Sequence, residues 1–429
     1  MQERNDEDFI SLLRREVKPA LGCTEPMAVA LAVACASERV REYGDTPVYI
    51  KVSISSNILK NGMGVGIPGT TMVGLHVASA VAVECGRSEL GLEVIRYVND
   101  EVVERARKLL ERKAIEVTLA ETDKKLYIKA TAISQSHTAT VLIEDKHDNI
   151  ALVEVDGTVE LDKRTVNEEY ELCEEFMPSV RDIFNFATTV DIEKVDFILE
   201  SVKLNRAIAV EGLNGKYGLQ VGRTIYEKMG SDIFGNGLLS YAMSLTAAAS
   251  DARMAGSTMT VMSNSGSGNQ GITATLPVVA AAEKYGSNRE ELVRALTLSH
   301  LVAIHIKQNL GRLSALCGCV VAATGSACGI VLLKGGGYIN VAYAIKNMVG
   351  NITGMVCDGA KVGCALKVAS GVSAAVQSAV LALNNLGATS SDGIIDDDLE
   401  KTLKNLSKIG CEGMNYTDKL MLEIMVSKS

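Results

Sequence analysis

Five of the ten cysteines fall within one stretch of 48 residues: Cys317, Cys319, Cys328, Cys357 and Cys364. The charged start, Met1–Glu7, does not read as a secretory leader, so a reducing cytoplasm is expected. There, crowded cysteines signal metal or catalysis rather than disulfides. No ferredoxin or zinc-ribbon spacing is present, and histidine is scarce nearby. Cys357 and Cys364 bracket Asp358-Gly359-Ala360-Lys361-Val362-Gly363. An unbroken helix would hold their sulfurs roughly 10 Å apart along its axis, too far for one cluster. Bends at Gly359 and Gly363 could bring both thiolates to one iron–sulfur cube, with a third ligand from Cys317 or Cys319. On a helix those two point in different directions, so one of them is expected to ligate. Three thiolates on a four-iron cube leave one iron open, a Lewis acid able to hold a leaving group. An electron-transfer cluster would have all four irons thiolate-bound.

A second constellation is Gly22-Cys23-Thr24-Glu25-Pro26. Its cysteine lies just before a helix, where backbone N–H groups and the dipole favour a thiolate that could act as a general base. The alternative is a turn whose cysteine merely packs. The third is the run Ser263, Asn264, Ser265, Gly266, Ser267, Gly268, Asn269 and Gln270, leading into an apolar helix. Hydroxyls, amides and glycines before a helix suit a carboxylate or phosphate. The glycine-rich loop Asn57–Thr71, with Lys60 and Asn61, is a similar candidate or a plain connection. His137, His300 and His305 could face a cleft, but buried, satisfied histidines are commoner. Cys35 and Cys85 read as packing, Cys173 as surface, and Cys411 as a weak extra ligand.

These residues need elements to position them. Helices are expected over Asp8–Val17, Met27–Tyr43, Val73–Cys85 and 91–112. Strands are expected over Val48–Ser55, Ile115–Leu119, Leu126–Ser134, Thr138–Glu144 and Ile150–Val155. Beyond Glu169 the pattern is helical, with glycine-rich interruptions at 211–222, 263–271, 312–329 and 351–364. Leu313–Leu333 has membrane-span length, but its Ala, Gly, Cys and Ser content fits a buried helix or helix pair. With 38 glycines, no Trp and 6 Phe, the core must be made of small side chains and closely approaching helices. The fold class is therefore α+β. Segments 1–45 and 166–429 form a helical, cluster-binding domain, and 46–165 forms a smaller α/β lobe with a mostly antiparallel sheet. A net charge of −9 argues against a nucleic-acid partner, and no basic amphipathic segment suggests a membrane surface. Small-residue helix faces point to a homodimer.

Across nearly its whole length the chain resembles the L-cysteine desulfidase family, related to the α chain of iron–sulfur L-serine dehydratases. The resemblance rests on Gly22-Cys23-Thr24-Glu25-Pro26, Asn61-Gly62-Met63 with Gly66-Ile67-Pro68-Gly69, Gly268-Asn269-Gln270-Gly271, Cys317-Gly318-Cys319, and Cys357-Asp358-Gly359-Ala360-Lys361 with Cys364. It implies a [4Fe–4S] cluster on Cys317, Cys357 and Cys364, although alignment from Asn309 onward favours Cys319 over Cys317. It also implies β-elimination of a small L-amino acid, with the sulfur on the open iron. The substrate carboxylate would lie at Ser263–Gln270 with help from Asn61. The dehydratases carry a histidine motif where this chain has Cys23-Thr24, which makes Cys23 the candidate base. Serine dehydration could use the same machinery. A pyridoxal-phosphate lyase, with Lys60 as its lysine, and a non-catalytic iron–sulfur sensor are the competing classes.

Overall fold

The computed structural model describes residues 6–164, 176–311 and 315–428, and Cys173 lies outside them. The first part of the chain contains α1 (Asp6–Glu16), β1 (Pro19–Leu21), α2 (Thr24–Glu42), β2 (Tyr49–Ile54), α3 (Ser56–Gly62), α4 (Leu75–Cys85) and α5 (Asp100–Glu111). Next come β3 (Ile115–Leu119), β4 (Tyr127–Ile133), β5 (Thr138–Glu144), β6 (Ile150–Val155) and β7 (Thr158–Asp162). The remainder holds α6 (Val180–Thr189), α7 (Ile192–Val195), α8 (Leu199–Asn214), α9 (Val221–Glu227), α10 (Leu238–Met254) and β8 (Thr260–Met262). It ends with α11 (Gly268–Tyr285), α12 (Arg289–Leu310), α13 (Gly318–Leu333), α14 (Tyr338–Ile352), α15 (Cys364–Leu383), α16 (Leu399–Lys408) and α17 (Asn415–Val426).

The α+β class expected from the sequence is the one observed. The main sheet runs β3-β2-β4-β5-β6-β7 and is antiparallel except for the β2–β3 pair. Its buried face carries Ile50, Val52 and Ile54 of β2 against Ile128, Ala130 and Ala132 of β4, as period-two alternation requires. Helices α2 and α4 cover that face and share its core. The exposed edge strand β7 escaped the sequence reading because it has no buried face to impose an apolar period. The helix expected over 91–112 is two pieces: a 3₁₀ turn at Ser88–Glu93, then α5, capped where Asn99 accepts from Val102 N at 3.0 Å. Part of the loop expected at Asn57–Thr71 is the short helix α3, only seven residues long and so without a readable period.

The N-terminal segment divides between the two lobes. α1 buries Phe9, Ile10, Leu12 and Leu13 in the large helical core, where Phe9 stacks on Phe186 at 4.4 Å. α2 belongs instead to the core of the sheet lobe. In the helical lobe α13 is buried among α11, α12, α14 and α15. The glycine interruption expected at 312–329 is thus largely helix, its glycines serving close packing. Helices approach closely at Ala248 of α10: a Cβ on Gly212 would lie 2.0 Å from its oxygen, and one on Gly222 2.1 Å from its nitrogen. Of the described helices only α15 is long and apolar enough to cross a membrane, and more than half of its apolar stretch is buried within the fold.

Candidate active site

The strand pair β1–β8, with Pro19 opposite Met262 and Leu21 opposite Thr260, brings the Cys23 turn against the helical lobe. Gly22 turns the chain at φ +60, and a Cβ there would meet Pro68 Cγ at 2.8 Å. Cys23 then N-caps α2 without a side-chain cap bond. Three contacts tie this turn to other segments. Arg253 Nη2 donates to Gly22 O at 2.8 Å, Thr24 Oγ1 to Gly266 O at 3.4 Å, and Asn61 Nδ2 to Glu25 Oε1 at 3.0 Å. The Cys23 thiol is buried with Val65, Met254, Ala360 and Cys364. Burial pushes it up to about 12, against the opposing pull of the Arg253 guanidinium. Desolvation therefore outweighs the helix N-terminus that the sequence reading relied on.

The Ser263–Gln270 loop is knit largely to itself and to its neighbours. Ser263 Oγ donates to Lys18 O at 2.7 Å, and Ser265 Oγ and Gln270 Nε2 both donate to Asn264 Oδ1 at 2.9 Å. Asn264 Nδ2 meets His300 Nδ1 at 3.0 Å, and Thr275 Oγ1 meets His300 Nε2 at 3.1 Å. His300 is thus a satisfied core histidine, pushed down to about 3 by burial. Ser265 and Gly266 both take positive φ, and Ser267 caps α11. Asn269 Oδ1 accepts from Arg253 Nη1 at 3.2 Å. Within this loop only the Gln270 carbonyl, Oε1, is left buried without a partner. His137 pairs with Asp156 and His305 with Glu400, each at a distance suited to a structural contact.

The cysteines converge through a short antiparallel contact. Cys317 N donates to Met355 O at 3.0 Å and Cys357 N to Ala315 O at 2.7 Å, around the Leu316–Val356 bridge. Between Cys357 and Cys364 the chain is not helical: Gly359 takes φ +89, and Cys364 opens α15. Cys317 and Cys319 do not diverge as expected. Cys317 is the extended N-cap of α13 rather than a helical residue, so the two sulfurs meet at 3.2 Å. That contact lowers the Cys317 pKa and raises that of Cys319. Burial pushes the Cys364 thiol up to about 11, and the charges of Cys317 and Cys357 add to that rise. Burial and Cys317 raise Cys357 as well, while Lys60 opposes the rise. Lys307, pushed down to about 8 by burial, has Cys357, Cys411 and Cys317 as its charge neighbours. Lys367 donates to Val356 O and pairs with Asp358.

Among the described residues no three His, Cys, Asp or Glu side chains are close enough to share one metal ion. A four-iron cube makes a different demand, since its thiolates bind separate irons and stand farther apart than ligands of a single ion. Cys317, Cys357 and Cys364 are sulfur donors that feel one another's charge with lysines beside them, the donor chemistry such a cube takes, and Cys319 feels the same three charges.

The small lobe closes this region. Gly66 N donates to Met254 O at 2.9 Å, and a Cβ on Gly359 would lie 2.1 Å from Lys60 O. Lys60 is buried and paired with Asp418 of α17. Arg253 was missed from sequence, although Asp251 and Arg253 are the only charged residues in the 17 residues of α10. That isolation was the available signal.

Residues 89–423 match the model of the serine dehydratase alpha chain family. The chain is 50% identical over 424 residues to a protein of Phocaeicola vulgatus, covering 98% of each chain. It is 49% identical over 429 residues to one of Bacteroides fragilis, covering 100% of both. A third relative, from Oleidesulfovibrio alaskensis, is 49% identical over 427 residues, 98% of each chain. All three are named UPF0597 proteins.

Proposed function

Because the chain belongs to the serine dehydratase alpha chain family, we propose that it is a lyase, an L-cysteine desulfidase. It converts L-cysteine to hydrogen sulfide, pyruvate and ammonia. The observation that carries this reading is the packing of Cys23 against Cys364 and Ala360, which joins a base candidate to the cysteine nest at the seam between the lobes. A [4Fe–4S] cluster held by Cys317, Cys357 and Cys364 would supply an open iron as a Lewis acid for the departing sulfur.

The chain's own residues do the rest. The substrate lies at the Ser263–Gln270 loop, with its carboxylate toward Arg253, which that loop's Asn269 holds, and with Asn61 holding Glu25 and so the Cys23 turn in place. Cys23, as thiolate, takes the α-proton, and the Arg253 guanidinium is the group that favours that thiolate against burial. The α-carbon electrons form the C=C bond while the C–S electrons leave with sulfur. The aminoacrylate then tautomerises, and water hydrolyses it to pyruvate and ammonium. Lys60 is tied to Asp418, so nothing favours the pyridoxal-phosphate reading. We further propose a cytoplasmic homodimer, supported by the exposed Tyr416, Leu420 and Ile424 on α17. Light scattering showing a monomer at micromolar concentration would reject the dimer.

The test of activity is anaerobic purification followed by iron and sulfide analysis and assay with L-cysteine and L-serine. About four irons per chain, with sulfide and pyruvate formed together from L-cysteine, supports the reading. A protein that holds no iron after reconstitution, or that turns over only L-serine, overturns it.

A further inference from the structure

Arg253 is 4% exposed at the end of α10; it donates to Gly22 O and Asn269 Oδ1, and its charge also reaches the Cys23 thiol. Its Nε has no partner, and only a glycine fits beside it, since a Cβ on Gly268 would lie 2.3 Å from that nitrogen. No ion pair of Arg253 with a carboxylate occurs among the described residues. While Cys23 is held as a neutral thiol by burial, the guanidinium has no anion beside it, which is costly and leaves a place for one to be supplied. One turn along the adjoining loop, Gln270 is fully buried, with Nε2 spent on Asn264 and Oε1 unpaired. That oxygen faces Gly318, the residue after Cys317, 3.0 Å from where its Cβ would be. A buried cation beside Cys23 and a buried unpaired acceptor beside Gly318 of the cysteine nest thus lie on adjoining segments.

We propose that Arg253 and Gln270 form a recognition pair for the zwitterion of a free L-α-amino acid, the guanidinium taking the α-carboxylate and the Gln270 carbonyl the α-ammonium. The pairing deepens the desulfidase reading and rests on its placement of substrate at this seam. It restricts the enzyme to free amino acids. A peptide or ester lacks the carboxylate charge, and a mercapto acid without nitrogen leaves Oε1 unsatisfied. Two fixed points and the sulfur define the three corners that chirality needs.

The experiment uses the full-length, anaerobically reconstituted enzyme and its R253Q, R253K and Q270L variants. L-cysteine is compared with L-cysteine methyl ester as substrate, and 3-mercaptopropionate is used as inhibitor. In R253Q, kcat should fall for acid and ester alike because the Cys23 thiolate loses its cation, and L-cysteine alone should also lose binding through KM, so the acid-to-ester ratio of kcat/KM falls about ten- to a hundred-fold. R253K, with its charge but not its fork, should recover part of the loss. Q270L should weaken L-cysteine but not 3-mercaptopropionate. An acid-to-ester preference in R253Q equal to that of the parent enzyme overturns the proposal, as does equal weakening of both ligands in Q270L. If R253Q does not fold, the R253K ratio decides, with circular dichroism confirming its fold. If the parent enzyme has no activity on L-cysteine, the desulfidase reading fails separately. Calorimetric binding of L-cysteine and L-serine against their methyl esters, to parent and variant, then decides the pairing alone.

Discussion

Replacing Gly359 with alanine should both destabilise the protein and empty its cysteine nest. At φ +89 a side chain costs about 1–2 kcal/mol. The new Cβ would also sit 2.1 Å from the Lys60 carbonyl oxygen, across the seam, so backbone must move at about 1–3 kcal/mol. The sum is about 2–5 kcal/mol. For 429 residues the unfolding entropy is about 0.9 kcal/mol/K, so Tm should fall by about 2–6 °C if the chain unfolds as one unit. The movement also shifts the loop between Cys357 and Cys364, so iron retained after anaerobic reconstitution should drop at least by half. Gly363 supplies the control in the same loop. Its φ is −63, its nearest neighbour to a Cβ is 3.8 Å away, and G363A should stay within about 1 kcal/mol of the parent. Calorimetry and iron analysis of both variants read the difference. If G359A matches G363A in Tm and iron, the seam is not a fixed contact and the reasoning fails.

Serine at Cys357 or Cys364 should abolish bound iron and visible absorption, whereas C328S, inside α13, should keep both; equal loss in all three would sink the ligand assignment. Acid stability should report two buried groups of opposite sign. His300, depressed to about 3, stays neutral in the fold, so stability is lost as pH falls from about 6.5 towards 3, by about 1.4 kcal/mol per pH unit at most. Asp251, raised to about 6, keeps its proton in the fold and offsets that slope between about 3.8 and 6. D251N should therefore steepen the acid limb in denaturant titrations over that window, and parallel curves would refute the assignment. D418N leaves the buried Lys60 ammonium unpaired, so it should cost about 2–4 kcal/mol and speed proteolysis near α17. An unchanged cleavage rate would show that α17 is held otherwise.

The α+β class and most elements were legible because they follow period and punctuation: alternation in β2, β4 and β5, and Asn, Ser or Gly at helix starts. What stayed hidden depends on tertiary contact. The convergence of Cys317 and Cys319 follows from an extended N-cap, which a pattern of residues on a helix does not show. The high pKa of Cys23 follows from burial beneath Val65 and Met254, partners 42 or more residues away. The Ser263–Gln270 loop has the composition of an anion site, yet its side chains bond to one another, and the cation lies on the preceding helix. Composition reports which groups are present, and only packing decides which of them are spent.

The seam also has a consequence for the newborn chain. Cys23 packs against Cys364, which leaves the ribosome 341 residues later. At about 5–20 residues per second, that is about 17–70 s of synthesis during which Cys23 has no complete pocket. Under the proposed iron–sulfur reading, iron delivery would follow translation of α15, with the cysteines shielded from oxidation until then. Under the same reading, cells that make this protein faster than they can supply iron should accumulate the cluster-free form first.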